Sequence, residues 1–171
     1  QINNEIRTQV PVVPIANGAS LIAIRAAVRG LVASPVVMER FSAVSVEGSN
    51  TFTWLQGGEP AGLYCMDEED REAVRICAQV MEGLYGYAVG GTAAEPRLAT
   101  ECVASADGLV VECALRRDVR FHNGARLDAG DVLDSFAAAW DCTHPLHVGR
   151  TGSFRGWSWI MGTLNADACG E

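Results

Sequence analysis

An α/β fold of mixed α+β character is what the sequence predicts, and three observations carry that expectation. Asp107-Gly108 separates two runs in which polar and apolar residues alternate, the mark of a β-hairpin. Two stretches, starting at Asp67 and at Asp128, join an acidic start to apolar residues every three or four positions, the mark of amphipathic helices. Short β-branched or aromatic runs bounded by glycine and proline supply the remaining strands. The 171 residues, 49% hydrophobic and 20% charged, suffice for one compact domain and exclude a disordered chain. Thirteen basic residues, all arginine, against twenty-one acidic ones give a net charge of −8, which excludes a sequence-independent grip on nucleic acid or anionic lipid. Arg25 and Arg29 interrupt the most apolar run, so no membrane span is expected.

Residues 1–48 and 49–171 read as two different regions. In the first, Gln1 to Gln9 reads as the end of a helix, and Val10 to Ala16 as an extended segment that Pro11 and Pro14 confine to a sheet edge. Asn17-Gly18 marks a turn, and Leu21 to Val28 is a second extended run ending at Gly30. Small residues dominate from Leu31 to Gly48, and Glu47-Gly48-Ser49-Asn50 is the most linker-like stretch, hence the boundary. The chain opens on Gln1 with no basic segment leading into an apolar one, so a cut or processed piece is expected.

In the second region, Thr51 to Leu55 is expected as a short strand with Phe52 and Trp54 on one face, stopped by Gly57-Gly58-Glu59-Pro60. Asp67-Glu68-Glu69-Asp70 then loads the first turn of a helix with negative charge. Val74, Cys77, Ala78, Met81 and Leu84 line one face of that helix to about Gly86. In the hairpin, Leu109, Val111, Cys113 and Leu115 alternate with Val110, Glu112, Ala114 and Arg116, the period of a half-buried strand. His122-Asn123-Gly124 is a further turn. Asp128 caps a helix whose third residue is Asp131, with Val132, Phe136 and Trp140 on one face and Pro145 and Gly149 at its end. Phe154, Trp157 and Trp159 form an aromatic stretch among glycines, suited to core or to a partner surface.

Six cysteines without a C-x-x-C pair disfavour structural zinc and favour disulfides, and hence an oxidising compartment; buried free thiols are the alternative. A two-residue turn at Asp107-Gly108 sets Cys102 opposite Cys113, within disulfide reach but on a hydrogen-bonded pair, where a bridge is less comfortable. Cys65 and Cys77 flank the start of the first helix. A bridge there would staple the preceding loop to it, and two unpaired core thiols are the competing expectation.

Chemistry is sparse. Cys142, His144 and His147 form C-x-H-x-x-H, with His122 as a conceivable fourth ligand for zinc or nickel. The spacing fits no standard site and follows a helix end, where solvated histidines are common, so no metal is assigned. The glycines from Gly86 to Gly91 lack the Lys-Ser/Thr of a phosphate loop and read as a turn. No G-x-S-x-G elbow occurs, and Asp128, Asp131 and Asp134 read as caps and a solvated face rather than an acid pair, so neither catalysis nor a cofactor is expected.

One run of motifs is specific. Pro96-Arg97-Leu98-Ala99 is followed by Ala106-Asp107-Gly108, then by Leu115-Arg116-Arg117-Asp118-Val119-Arg120-Phe121-His122-Asn123-Gly124. After it come Leu127-Asp128-Ala129-Gly130-Asp131-Val132 and Ser135-Phe136, and ahead of it Glu82-Gly83-Leu84. Order and spacing resemble the family 5 extracytoplasmic solute-binding proteins of ABC importers, the peptide and nickel binding group. Their signature runs P-x-L-A, strand, D-G, strand, L-R-x-x-V-x-F-H-x-G, then A-x-D-V and S-F. The resemblance covers residues 51–140. Residues 1–48 resemble that family's carboxyl end, so tail precedes head, as in a permuted or tandem chain whose ends lie in one lobe.

The resemblance implies a fragment of a periplasmic-binding-protein type II fold without the second ligand-binding lobe. It also implies capture rather than catalysis: a peptide or other small solute held between lobes, ABC permease subunits as membrane partners, and a periplasmic or cell-surface location. By rough alignment with the family, Met66, Asp67, Glu68, Glu69 and Asp70 face the cleft, and His147 falls near a ligand-approaching residue. A nickel-binding member of the same family and a non-catalytic partner-binding module, with Phe154 to Trp159 as its surface, are the alternatives.

Overall fold

The computed structural model describes Thr8 and residues 21–148. The expectations for residues 1–7 and 9–20 and for the aromatic stretch Phe154 to Trp159 lie outside the described residues. Mixed α/β architecture is confirmed. Strand β1 (Val28–Arg29) pairs antiparallel with β2 (Ser45–Val46), and a 3₁₀ turn, Phe41–Ala43, lies between them. Helix α1 (Arg71–Val80) leads to the β3–β4 ladder (Tyr85–Tyr87 with Ala94–Pro96). The hairpin of β5 (Ala99–Ala104) and β6 (Val111–Leu115) precedes helix α2 (Ala129–Trp140).

The stretch expected to link two regions is a tight turn. Ser49 N–H donates to the Val46 carbonyl at 3.2 Å around Gly48, whose φ is 74°. Side chains from before that turn pack on side chains from after it. Phe41 stands 5.1 Å from both the Phe52 and the Trp54 ring centroids, and Arg75 of α1 lies 5.1 Å over the Trp54 ring. Glu39, only 3% exposed, accepts from Arg75 Nε at 2.8 Å, and Gln79 bridges the Glu39 carbonyl and the Phe41 N–H. Phe52 and Trp54 thus share a face as expected. Their segment forms no ladder, however, because its side chains are held by Phe41 and Arg75 rather than its backbone by a neighbouring strand.

Helix α1 departs from its expected bounds at both ends. Asp70 is its N-cap, accepting from Ala73 N–H at 2.8 Å, so Asp67 to Glu69 stand before the helix and Glu72 is the acid of its first turn. At the other end it stops at Val80. The carbonyls of Gly83 and Leu84 receive the N–H groups of Arg97, Leu98 and Ala99 at 3.0–3.1 Å, and this tertiary pairing overrides the helical period that Leu84 continues. Gly86 therefore lies in a strand, and the glycine-rich turn runs from Ala88 to Ala93, with Gly90 at φ 72°.

The hairpin keeps its expected register but not its expected turn. Asp107 does not adopt the positive φ that a type I′ pair requires. Instead Gly108 N–H donates to the Ser105 carbonyl at 2.9 Å, and Ser105 N–H to the Val110 carbonyl at 2.8 Å. The loop has grown by one residue on each side, so Cys102 still faces Cys113. Growth by one step also reverses the alternation of the ladder: Ser105 and Val110 are a hydrogen-bonded pair, which puts Cys102 and Cys113 on a non-hydrogen-bonded one. Their Cα separation of 4.0 Å belongs to that closer class, and the bridge forms. At the tip, Leu109, Val110 and Val111 are all exposed, so the half-buried face is confined to Cys113 and Leu115.

Helix α2 carries the expected capping box, with Asp128 accepting from Gly130 and Asp131 N–H and Asp131 accepting from Asp128 N–H at 2.8 Å. It ends at Trp140, before Pro145. Among its described side chains Ala138 and Ala139 are buried and Val132 is half-buried, while Phe136 is exposed at 43%, a correction to its place on the expected apolar face. The fully buried apolar residues among those described are small: Ala73, Cys77, Ala99, Ala138 and Ala139.

Candidate functional site

The loop of residues 61–70 is shaped by two local constraints. Cys65 is bridged to Cys77 of α1, with their Cα atoms 5.6 Å apart, so of the two alternatives the sequence left open the loop is stapled to the helix. Asp70 reaches back across the loop to Ala61 N–H at 3.4 Å while capping the helix. The Ala73 N–H, opposed by slight desolvation and helped by Ala61, holds the Asp70 carboxyl below the usual aspartate range. Asp67 N–H closes a turn on the Tyr64 carbonyl at 2.9 Å. Met66 and Glu68 are half-buried, Asp67 is buried and Glu69 is exposed.

His147 follows α2, its Nδ1 donating to the Ala138 carbonyl at 2.7 Å. The two stretches singled out in the sequence are joined by a residue that was not: Tyr64 donates its hydroxyl hydrogen bond to the Leu146 carbonyl at 2.5 Å. That contact spans 82 positions, and no local pattern around Tyr64 announces it.

The C-x-H-x-x-H stretch is used differently from a ligand set. Cys142 is held in a disulfide whose partner lies outside the described residues. His144 Nδ1 accepts from Leu146 N–H at 3.2 Å. The Thr143 hydroxyl and N–H, with His144 and His147 adding a smaller effect, lower the Asp141 carboxyl below its ordinary value. Among the described residues no three His, Cys, Asp or Glu side chains gather into a group fit for a metal ion.

A cavity of about 450 Å³ lies against α1, with Glu68 the predicted residue on its wall. Met38, Met81, Tyr85 and Tyr87 give it apolar and aromatic surface, and Arg40 and Arg97 give it positive charge. Arg97 Nη2 is fixed by Glu95 at 3.1 Å and the Tyr87 carbonyl at 3.2 Å, whereas its Nε is buried without a hydrogen-bond partner among the described residues. Neither arginine was singled out in the sequence. Arg97 occupies the variable place in Pro-x-Leu-Ala, and Arg40 belongs to no motif.

The motif residues themselves form one connected frame. Pro96 to Ala99 docks on Gly83 and Leu84, Arg116 N–H donates to the Leu98 carbonyl at 2.7 Å, and the Arg116 guanidinium pairs with Glu82 at 3.3 Å. Arg120 then donates to the Gly124 carbonyl across the His122-Asn123-Gly124 turn, where Gly124 takes φ 88°. These contacts shape the backbone, and Glu82, Gly83 and Arg97 also line the cavity.

The profile of bacterial extracellular solute-binding proteins, family 5 Middle, matches residues 93–151. This supports, for that stretch, the class of solute-binding proteins that serve ABC importers. No curated protein and no solved structure gives a significant match to the chain.

Proposed function

We propose that the chain belongs to the solute-capturing component of an ABC-type importer, with short peptides as its solutes, working on the outer side of the membrane. The observation that carries this reading is the family match over residues 93–151, whose motif residues join Glu82 and Leu84, just ahead of it, in one frame. Its two bridges joining described cysteines, Cys65–Cys77 and Cys102–Cys113, suit an oxidising compartment. In this reading residues 1–48 correspond to the family's carboxyl end and residues 49–171 to its amino-terminal lobe. The packing of Glu39 and Phe41 on Arg75, Gln79 and Trp54 favours one body built from both.

Capture by such a receptor uses the ligand's contacts with two walls to stabilise a closed form, which then docks on permease subunits. In this reading Met66, Glu68, Glu69 and His147 would supply part of one wall, with Asp70 holding the loop's shape and Asp67 buried behind it; the Tyr64–Leu146 bond, which ties the two stretches, supports this. Titrating the natural full-length protein with short peptides and with nickel tests the proposal. Saturable peptide binding supports it, nickel binding alone would replace peptide by metal, and binding of neither would overturn capture as the function.

A further inference from the structure

We propose that the outer edge of β6 pairs antiparallel with the same edge of a second copy of this chain, about a two-fold axis beside Ala114; the inference does not rest on the solute-binding reading. Ser105 and Val110 are a hydrogen-bonded pair, so alternation turns the backbone groups of Glu112 and Ala114 toward β5 and those of Val111 and Cys113 away. The Arg116 N–H on the Leu98 carbonyl at 2.7 Å keeps that sense beyond the register shift between Ala99 and Glu101, so Leu115 faces outward too. Among the described residues the sheet holds β5 and β6 alone, and the outward N–H and C=O groups meet no third strand.

This edge is accessible and already ordered. Val111, Glu112, Ala114 and Arg116 are exposed, and the Cys102–Cys113 bridge fixes the strand before any partner arrives. Residues 111–115 carry neither the proline nor the lysine that commonly blocks an open edge. Glu112 is their one charge, and it makes no ion pair among the described residues.

Charge selects the register. Outward groups must meet outward groups, so the axis of a self-pairing passes beside a residue rather than between two. Beside Glu112 it sets that carboxylate against its own copy, and beside Leu115 against Asp118. Beside Val111 or Cys113 it leaves Glu112 opposite Val110 or Ala114, without a counter-charge. Beside Ala114 it sets Glu112 opposite Arg116 of the second copy and Arg116 opposite Glu112, with the small Ala114 facing itself. Arg116 stays available, being 48% exposed and held to Glu82 through Nη2 alone. Cys113 and Leu115 of the second copy then exchange both backbone hydrogen bonds, and symmetry repeats the exchange.

Sedimentation velocity of the 171-residue chain over a range of concentrations tests this. A monomer–dimer equilibrium that weakens as salt is added should appear. Glu112→Arg, which sets like charges opposite one another, should raise the dissociation constant about tenfold and keep the melting curve. Val111→Pro removes an outward N–H without touching the bonds to β5, and it should weaken the dimer by about the same factor. Under copper phenanthroline, Ala114→Cys should give a covalent dimer, whereas Glu112→Cys should not.

A chain that stays monomeric at every concentration would overturn the pairing. So would a dimer that Val111→Pro or Glu112→Arg leaves at full strength, since another surface would then hold it. Cross-linking through Glu112→Cys in preference to Ala114→Cys would overturn the register. Titration with solutes takes no part in these measurements, so the receptor reading is decided separately.

Discussion

Glu39 shows how one buried charge is kept. Burial raises its carboxyl, but the hydrogen bond from Arg75, the N–H groups of Glu39 and Ser34, and the Arg75 charge together bring it below the ordinary value of 4.5. A carboxyl depressed on folding adds stability that is fully present above its unfolded pKa and is lost as pH falls through the folded one. Glu39→Gln should therefore flatten the fall in stability below about pH 4.5, measured as urea midpoints against pH. Arg75→Met should cost about 3–5 kcal/mol, because it strands the Glu39 charge and uncovers Trp54, and adding Glu39→Gln should recover part of that loss. Asp128→Ala should cost about 1 kcal/mol through the capping box, seen as a lower denaturation midpoint at constant slope, with solute binding by the full-length protein unchanged. The capping box was legible in the sequence, since Asp131 stands three positions after Asp128. Glu39 and Arg75 stand 36 positions apart, and neither carries a local sign of its partner.

At the scale of elements, legibility followed the range of the interactions. The hairpin register could be read because a turn and two alternating runs fix it within a dozen residues. Its turn chemistry could not: Ser105 Oγ takes the Val110 N–H and donates to Asp107, while Asp107 also takes the Leu109 N–H, holding a wider loop than Asp-Gly alone suggests. The strand expected at Thr51 to Leu55 and the length of α1 failed for the reason tertiary context supplies, partners from distant segments. The candidate site was legible only as two stretches, Met66 to Asp70 and His147, because the Tyr64 bond that joins them depends on the fold. The Cys102–Cys113 bridge closes a loop with a sequence separation of 11, so Cys102→Ser with Cys113→Ser should lower stability by about 2–3 kcal/mol. Guanidinium unfolding checks this. A cross-linked peptide in non-reduced digests of the natively produced protein checks the bond itself, and full alkylation without reductant would refute it.

For the molecule as a whole, the buried core among the described residues is alanines stapled by cystines, which stabilises less than large aliphatic packing would, and the covalent bridges offset part of the difference. No described helix is long and apolar enough to cross a membrane. A single wall supplies only part of a two-walled ligand's contacts while the ordering costs remain. The 171-residue chain should thus bind short peptides with a dissociation constant in the millimolar range, and calorimetry giving a micromolar value would contradict that. The bridges also bear on how the chain reaches its native state. Cys65–Cys77 and Cys102–Cys113 close short spans that neither overlap nor enclose one another. Six thiols allow fifteen pairings, yet loop closure favours neighbours. After reduction and dilution into a glutathione buffer, these two bridges should return early and independently, without a shuffling enzyme. Persistent cross-paired isomers in time-resolved acid-trapped digests would show otherwise.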